Sequence, residues 1–311
     1  MSELYAQESA NYYINLRQFS SGEFEAVMKV VKPMSEELIK HSIAGTSYAA
    51  ACAEKGETSR SGFTSFRVKP DEEKTDFDHQ SNHNRAVRRA KQNIRWLAKA
   101  MCADRLFTLS YRENVTDREK VREDFKRFIR YVRHGWRGQE GIPGWQYVAV
   151  LELQERGAFH IHCAVKGWQR VKYLRQCWYK ALGGRGDEAG SETPGAVNVT
   201  NPDRKRWGHT GRQWKVNKLA GYLTKYLAKT FDTSSSEKKR YWHARDITLP
   251  EKQRYWIGGA SMPEAIKEAY SMLQFLTGVT VDCNMWVSSL NDVFWIAGRP
   301  PANSHDFRVS A

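Results

Sequence analysis

Residues 147–165 read YVAVLELQERGAFHIHCAV, two apolar runs separated by Glu155-Arg156-Gly157. Each run has the length and the Val, Ile and Phe content of a strand, and three residues ending in glycine suit a hairpin loop with Gly157 in the left-handed conformation. Side chains alternate faces along a strand, so His160 and His162 project the same way while Phe159, Ile161 and Cys163 face the other side. With a three-residue loop Glu152 lies opposite His160; a two-residue loop would set Leu153 there instead. Two imidazoles and a carboxylate with open positions make a catalytic divalent-metal site, for which Mg²⁺ or Mn²⁺ is expected, with Zn²⁺ as the alternative.

Downstream, residues 217–231 read NKLAGYLTKYLAKTF. Leu219, Leu223 and Leu227 recur every four residues, as on a helix with one buried stripe. Tyr222, Lys225, Tyr226 and Lys229 form an adjoining stripe, so both phenols share a face and each has a lysine within a turn. A phenol is a poor nucleophile at its ordinary pKa of about 10. Nearby cations that favour phenolate, and a metal that polarises the target, supply what it lacks.

A third segment, RLFTLSYRENVTD from Arg105, reads as a strand with Phe107 and Leu109 on one face and Thr108 and Ser110 on the other. A strand, a later H-x-H strand and a still later two-tyrosine helix follow in that order. The set resembles the HUH endonucleases, and more closely their two-tyrosine rolling-circle replication initiators (Rep proteins) of phage and plasmid type. FTLSYR resembles motif I, ELQERGAFHIH motif II and YLTKY the two-tyrosine motif III of that family. The resemblance covers about residues 84–260. It implies that His160, His162 and Glu152 hold the metal, that Tyr222 and Tyr226 are nucleophiles, and that Lys225 assists at the scissile phosphate. The implied activity is nicking and rejoining of single-stranded or locally melted origin DNA through a 5′-phosphotyrosyl intermediate. Relaxases place the tyrosine before the histidine motif, which this chain does not. Two alternatives stand beside this reading: a two-tyrosine HUH transposase, and a non-catalytic nucleic-acid-binding protein with a structural metal.

Composition points the same way. The 311 residues carry 49 Lys and Arg against 35 Asp and Glu, a formal charge of +14 that favours a polyanionic partner. No acidic residue occurs from His79 to Ala103, where Arg85, Arg88, Arg89, Lys91, Arg95 and Lys99 accumulate on a segment with Val87, Ile94, Leu97 and Met101 at helical spacing. One face is expected to pack and the others to meet phosphates, with Arg85, Arg88 and Arg89 as the leading DNA contacts. Lys218 and Lys229 are expected to do the same beside the tyrosines, within a wider basic region of Arg204, Lys205, Arg206, Arg212, Lys215 and Lys238–Arg240. Trp207, Trp214 and Trp242 are interleaved with these cations, a mixture suited to single strands. No G-x-x-x-x-G-K-[ST] phosphate loop occurs, so unwinding would fall to a separate helicase and synthesis to a host polymerase.

No apolar run has the length to span a bilayer and the N-terminus lacks a secretory pattern, so a cytoplasmic protein of a bacterial host cell, without a membrane partner, is expected. The five cysteines are scattered, with no C-x-x-C pair, as suits reduced thiols. The expected fold class is α+β: a central antiparallel sheet with helices packed on its faces, plus N- and C-terminal extensions. The boundaries read as 1–83 for an N-terminal extension and polar connector, 84–260 for the nuclease domain and 261–311 for a C-terminal extension. Phe24–Val31 and SEELIKHSIAG show helical spacing. Residues 54–84 look like a loop or connector, and SMPEAIKEAYSMLQFLTG is a clear helix with Pro263 in its first turn and Gly278 at its end.

Overall fold

The computed structural model describes residues 10–31, 76–136, 138–200, 214–232, 241–278, 283–288 and 293–299, with the side chains of 76–81 and 228–232 set aside. In chain order the elements are β1 (Ala10–Gln18), β2 (Phe24–Val30), α1 (Asp76–Ala100), β3 (Arg105–Tyr111), α2 (Arg118–His134), β4 (Val148–Leu153), β5 (Phe159–Val165) and α3 (Val171–Ala181). They continue with β6 (Gly195–Val199), α4 (Val216–Asp232), β7 (Tyr241–His243), β8 (Gln253–Ala260), α5 (Met262–Thr277), β9 (Cys283–Val287) and β10 (Val293–Gly298). These elements fall into two compact units, Arg17–Glu23 with His79–Glu251 in one and the remainder in the other. We call them the central and the terminal unit. No described helix is long and apolar enough to cross a membrane.

The central unit is an open antiparallel sheet in the order β6-β3-β5-β4-β7. Its strands alternate as their sequences require, and both faces are covered. Phe107, Leu109, Leu151, Ile161, Cys163 and Val197 join Val121, Phe125 and Phe128 of α2 and Leu174, Cys177 and Trp178 of α3 in one core. On the opposite face Leu106, Val148, Val150 and Ala164 pack with Ile94, Leu97 and Ala98 of α1 and Leu219, Leu223 and Leu227 of α4. The expected α+β class, with helices on the faces of an antiparallel sheet, is what is found. Asp117 caps α2, its carboxylate accepting from the Glu119 amide at 2.9 Å.

The terminal unit draws strands from both ends of the chain into a second sheet, β8-β1-β2-β10-β9. Tyr12, Ile14, Leu16, Phe24, Ala26, Met28, Phe294 and Ile296 bury one face against Ala265, Ala269 and Leu273 of α5. That helix begins with a capping box between Ser261 and Glu264 and ends at Gly278 with φ 65°, as its sequence indicates.

Three expectations are corrected. Phe24–Val30 is a strand, not a helix: Phe24, Ala26 and Met28 alternate into the core, a period of two that the extra apolar residue Val27 disguises. Residues 76–84 are helical rather than loop, since α1 starts at Asp76 and its first turns are too polar to show a periodic stripe. Lys99, grouped above with phosphate-facing cations, is 1% exposed, and its ammonium lies 5.5 Å over the Phe19 ring. The SEELIKHSIAG segment lies outside the described residues, as do Arg204–Arg206, Trp207, Arg212 and Lys238–Arg240.

Candidate active site

The hairpin forms with a three-residue loop. Gln154 N donates to Ala158 O and Gly157 N to Gln154 O, with Gly157 at φ 83°, and Glu152 is consequently paired with His160. The alternative with Leu153 opposite His160 does not occur, because Leu153 pairs with Phe159.

His162 is the fixed point of the site. It lies between its register partners Thr108 on β3 and Val150 on β4. Its Nδ1 is 3.0 Å from Thr108 Oγ1, and its Nε2 is 2.7 Å from Glu152 Oε2. Both members of the pair are buried, Glu152 at 9% and His162 at 5% exposure. The ring is thus held from both sides, and a charge-assisted bond in such surroundings is among the stronger ones available. His160, half-buried on the same strand face, places Nδ1 3.1 Å from Gln154 Nε2. Burial and then the neighbouring His162 push the His160 pKa below its ordinary value against the opposing pull of Glu152, so its neutral, lone-pair-bearing form is favoured.

Helix α4 lays its tyrosines on this pair. Leu219, Leu223 and Leu227 are fully buried against the sheet, which turns the adjoining stripe along the sheet surface. The Tyr226 ring stacks on the His162 imidazole with centroids 3.8 Å apart and planes at 17°. Its hydroxyl donates to the Tyr222 hydroxyl at 2.6 Å, and the Tyr222 ring leans on Trp214 at 5.0 Å. Burial, the hydrogen bond to Tyr222 and the Glu152 carboxylate together raise the Tyr226 pKa well above that of a free phenol. In this arrangement Tyr226 is a proton donor.

Of the other expected residues, Lys225 and Lys218 are exposed on α4, and Arg85, Arg88 and Arg89 are exposed on α1. Lys229 lies within α4, but its side chain is outside the described residues. Two of the interleaved tryptophans serve as packing. Trp214 is 6% exposed and donates from its indole to Thr200 O at 3.1 Å, and Trp242 stacks on Phe125 at 5.1 Å. Sequence reading missed Thr108 and Gln154 as partners of the histidines. Thr108 lies on the polar face of the first strand, and Gln154 follows Glu152 at the two-residue spacing that keeps a side chain on one face.

Among the described residues, no group of three or more His, Cys, Asp or Glu side chains stands gathered like a metal cage. The donors nonetheless suit a divalent ion. A carboxylate oxygen and an imidazole nitrogen are already side by side, the second imidazole is on the same strand face, and Thr108 holds the far nitrogen of His162, as partners of metal-binding histidines do. A cation would have to enter between Glu152 and His162, replacing their direct bond.

Residues 104–231 match a family model for replication-associated proteins of the ORF2 type. The matched stretch includes β3, β4, β5 and all but the last residue of α4, hence every element that positions the site. It supports a replication initiator family for this chain, a class of protein that works on DNA. No curated protein and no solved structure matches the chain.

Proposed function

We propose that this protein initiates replication by nicking and rejoining single-stranded or melted origin DNA through tyrosine transesterification. The observation that carries the reading is the Tyr226 ring stacked on His162, itself bonded to Glu152, with the second phenol hydrogen-bonded to the first. Two hydroxyls of equal chemistry at one site suit a reaction that must cut twice and reseal once.

A tyrosine oxygen attacks the scissile phosphorus, a bond forms between them, and the bond to the 3′-oxygen breaks. The departing oxygen takes up a proton, leaving a 5′-phosphotyrosyl protein and a free 3′-hydroxyl able to prime synthesis. After one round the second tyrosine cuts the regenerated junction in the same way. The freed 3′-hydroxyl then attacks the first phosphotyrosine, restoring the phenol and closing the strand. Each step exchanges one phosphodiester for another, so bond energy is conserved and no nucleotide is spent. Glu152, His160 and His162 would hold Mg²⁺ or Mn²⁺, which when bound supplies charge to polarise the phosphate. Thr108 and Gln154 fix the two imidazoles. Lys225 lies one turn from Tyr222 on the exposed side of α4, positioned to meet phosphate charge. Arg85, Arg88, Arg89 and Lys218 offer exposed cations for the flanking strand.

The test is incubation of the full chain with labelled single strands tiling its presumptive origin, with Mn²⁺ or with EDTA, followed by a denaturing gel. A metal-dependent adduct that survives detergent and disappears only in the Tyr222→Phe/Tyr226→Phe double variant supports the reading. Tight binding with no adduct on any strand would overturn it in favour of a non-catalytic DNA-binding protein. That rival has an observation of its own behind it, for Glu152 and His162 satisfy one another without a metal.

A further inference from the structure

The second sheet has a covered face and an uncovered one. On strands β1, β2 and β10 the residues facing α5 are apolar and buried, as a one-sided sheet requires. The opposite face of such a sheet is ordinarily polar. Here it carries Tyr13, Trp256, Trp286 and Trp295. Trp256 is 64% exposed and Trp286 56%, on the two outermost strands. Tryptophan presented singly to water is ordinary, but a tract of indoles across one sheet face marks a surface that binds something.

Strand register arranges these rings. Tyr13 pairs with Trp256 across β1 and β8, their centroids 6.0 Å apart. Trp295 pairs with Trp286 across β10 and β9, and its indole N–H donates to Glu25 Oε1 at 3.2 Å, which fixes that ring. Beside them stand cations. Arg254 Nε donates to Asn15 Oδ1 at 3.1 Å, its guanidinium lies 5.0 Å from the centre of the Tyr13 ring, and Lys29 is exposed on β2. Glu25 is 2% exposed, so the accessible charges on this face, among the described residues, are positive. From β8 to β9 the face spans about 19 Å at the usual strand spacing, room for several bases.

We propose that this face is a second binding surface for single-stranded DNA, on which Trp256, Tyr13 and Trp286 stack bases while Arg254 and Lys29 meet phosphates. Flat π-faces interspersed with cations are what a strand of alternating bases and phosphates needs, and the pairing tolerates any base sequence. A second copy of the chain fits less well, because a two-fold contact through this face would set its cations against themselves. The proposal is independent of the tyrosine chemistry, since it concerns binding by the other unit.

The test uses the full chain carrying Tyr222→Phe/Tyr226→Phe, so that no covalent adduct contributes, and measures anisotropy of labelled oligo(dT) long enough to reach beyond one site. Adding Trp256→Ala/Trp286→Ala should weaken binding at least about tenfold, at the usual worth of a stacked base. Trp256→Phe/Trp286→Phe should recover most of it, and circular dichroism should be unchanged in all variants. Undiminished affinity of the alanine variant overturns the proposal. So does an alanine variant that turns an oligomer into a monomer by light scattering while each protomer binds DNA as before, for the face would then be a self-interface.

Discussion

Replacing Glu152 by Gln tests the centre of the site because it keeps shape and removes charge. The carboxylate accepts from His162 Nε2 at 2.7 Å, and the two side chains are 11% and 6% exposed, so solvent screens this bond little. A hydrogen bond to a charged partner contributes roughly 1.5–3 kcal/mol and a neutral one about 1 kcal/mol, so the amide should cost on the order of 1 kcal/mol without metal. In a unit of this size that lowers the unfolding midpoint by about 2–4 °C. The larger effect should appear on adding Mn²⁺. A ligand at about a hundred times its Kd stabilises the native state by about 2.7 kcal/mol, and Glu152→Gln should lose most of that increment. Urea titrations of both proteins with Mn²⁺ and with EDTA give the four free energies needed. An equal Mn²⁺ increment in the two proteins would refute the assignment of Glu152 as a ligand, and a variant no less stable in EDTA would refute the worth given to the buried pair.

Thr108→Val removes the Nδ1 partner of His162, and should weaken Mn²⁺ binding by roughly 10- to 100-fold in calorimetry while leaving the fold intact. Gly157→Ala meets no closer atom than Thr116 Cγ2 at 3.6 Å, so its cost of about 1 kcal/mol should come from φ 83° alone, seen as a lower urea midpoint at unchanged slope. Burial, chiefly, pushes the Tyr147 phenol up to about 12, so the folded state keeps a proton that the unfolded chain releases at its ordinary value of 10.0. The resulting stability is fully present below pH 10.0 and is lost as pH rises through about 12, a slope that Tyr147→Phe should flatten in alkaline unfolding.

The central unit was legible where local chemistry and tertiary demand agree. The β4–β5 hairpin could be placed because Gly157 suits one turn geometry and a shift of one residue would turn His160 and His162 to the wrong face. Helix α4 could be placed because its leucines repeat at four residues over a length that no strand shares. The terminal unit was obscured by its connectivity: β1 and β2 take β8 and β10, from the far end of the chain, as their outer neighbours, and no local pattern announces partners that distant. The direct Glu152–His162 bond was equally hidden, since register puts Glu152 opposite His160 and only side-chain reach carries it to the next histidine. The same holds for Trp214 and Trp242. Their basic neighbours suggested stacking on bases, whereas Thr200 and Phe125, the groups that claim them, stand well away in sequence.

The hydrogen bond between the two phenols makes them inequivalent. Tyr226 donates and Tyr222 accepts, so negative charge growing on the Tyr222 oxygen during attack is met by the Tyr226 O–H. Charge growing on Tyr226 instead gives up that bond, in a buried position beside Glu152, which is why its pKa is raised. A cation at Glu152 would cancel the carboxylate's part in this and leave burial and the hydrogen bond in place. First-strand nicking should therefore depend more on Tyr222 than on Tyr226. A hydrogen bond contributing ~1 kcal/mol more in the transition state corresponds to about a fivefold difference in rate. Single-turnover adduct formation on one saturating oligonucleotide, with Tyr222→Phe and Tyr226→Phe compared in Mn²⁺, reads the difference directly. Tyr226→Phe also removes the donor that aids Tyr222, so it should be slowed as well, though less than Tyr222→Phe. Equal rates, or a faster Tyr222→Phe protein, would show that the hydrogen-bond direction seen here does not persist when DNA is bound.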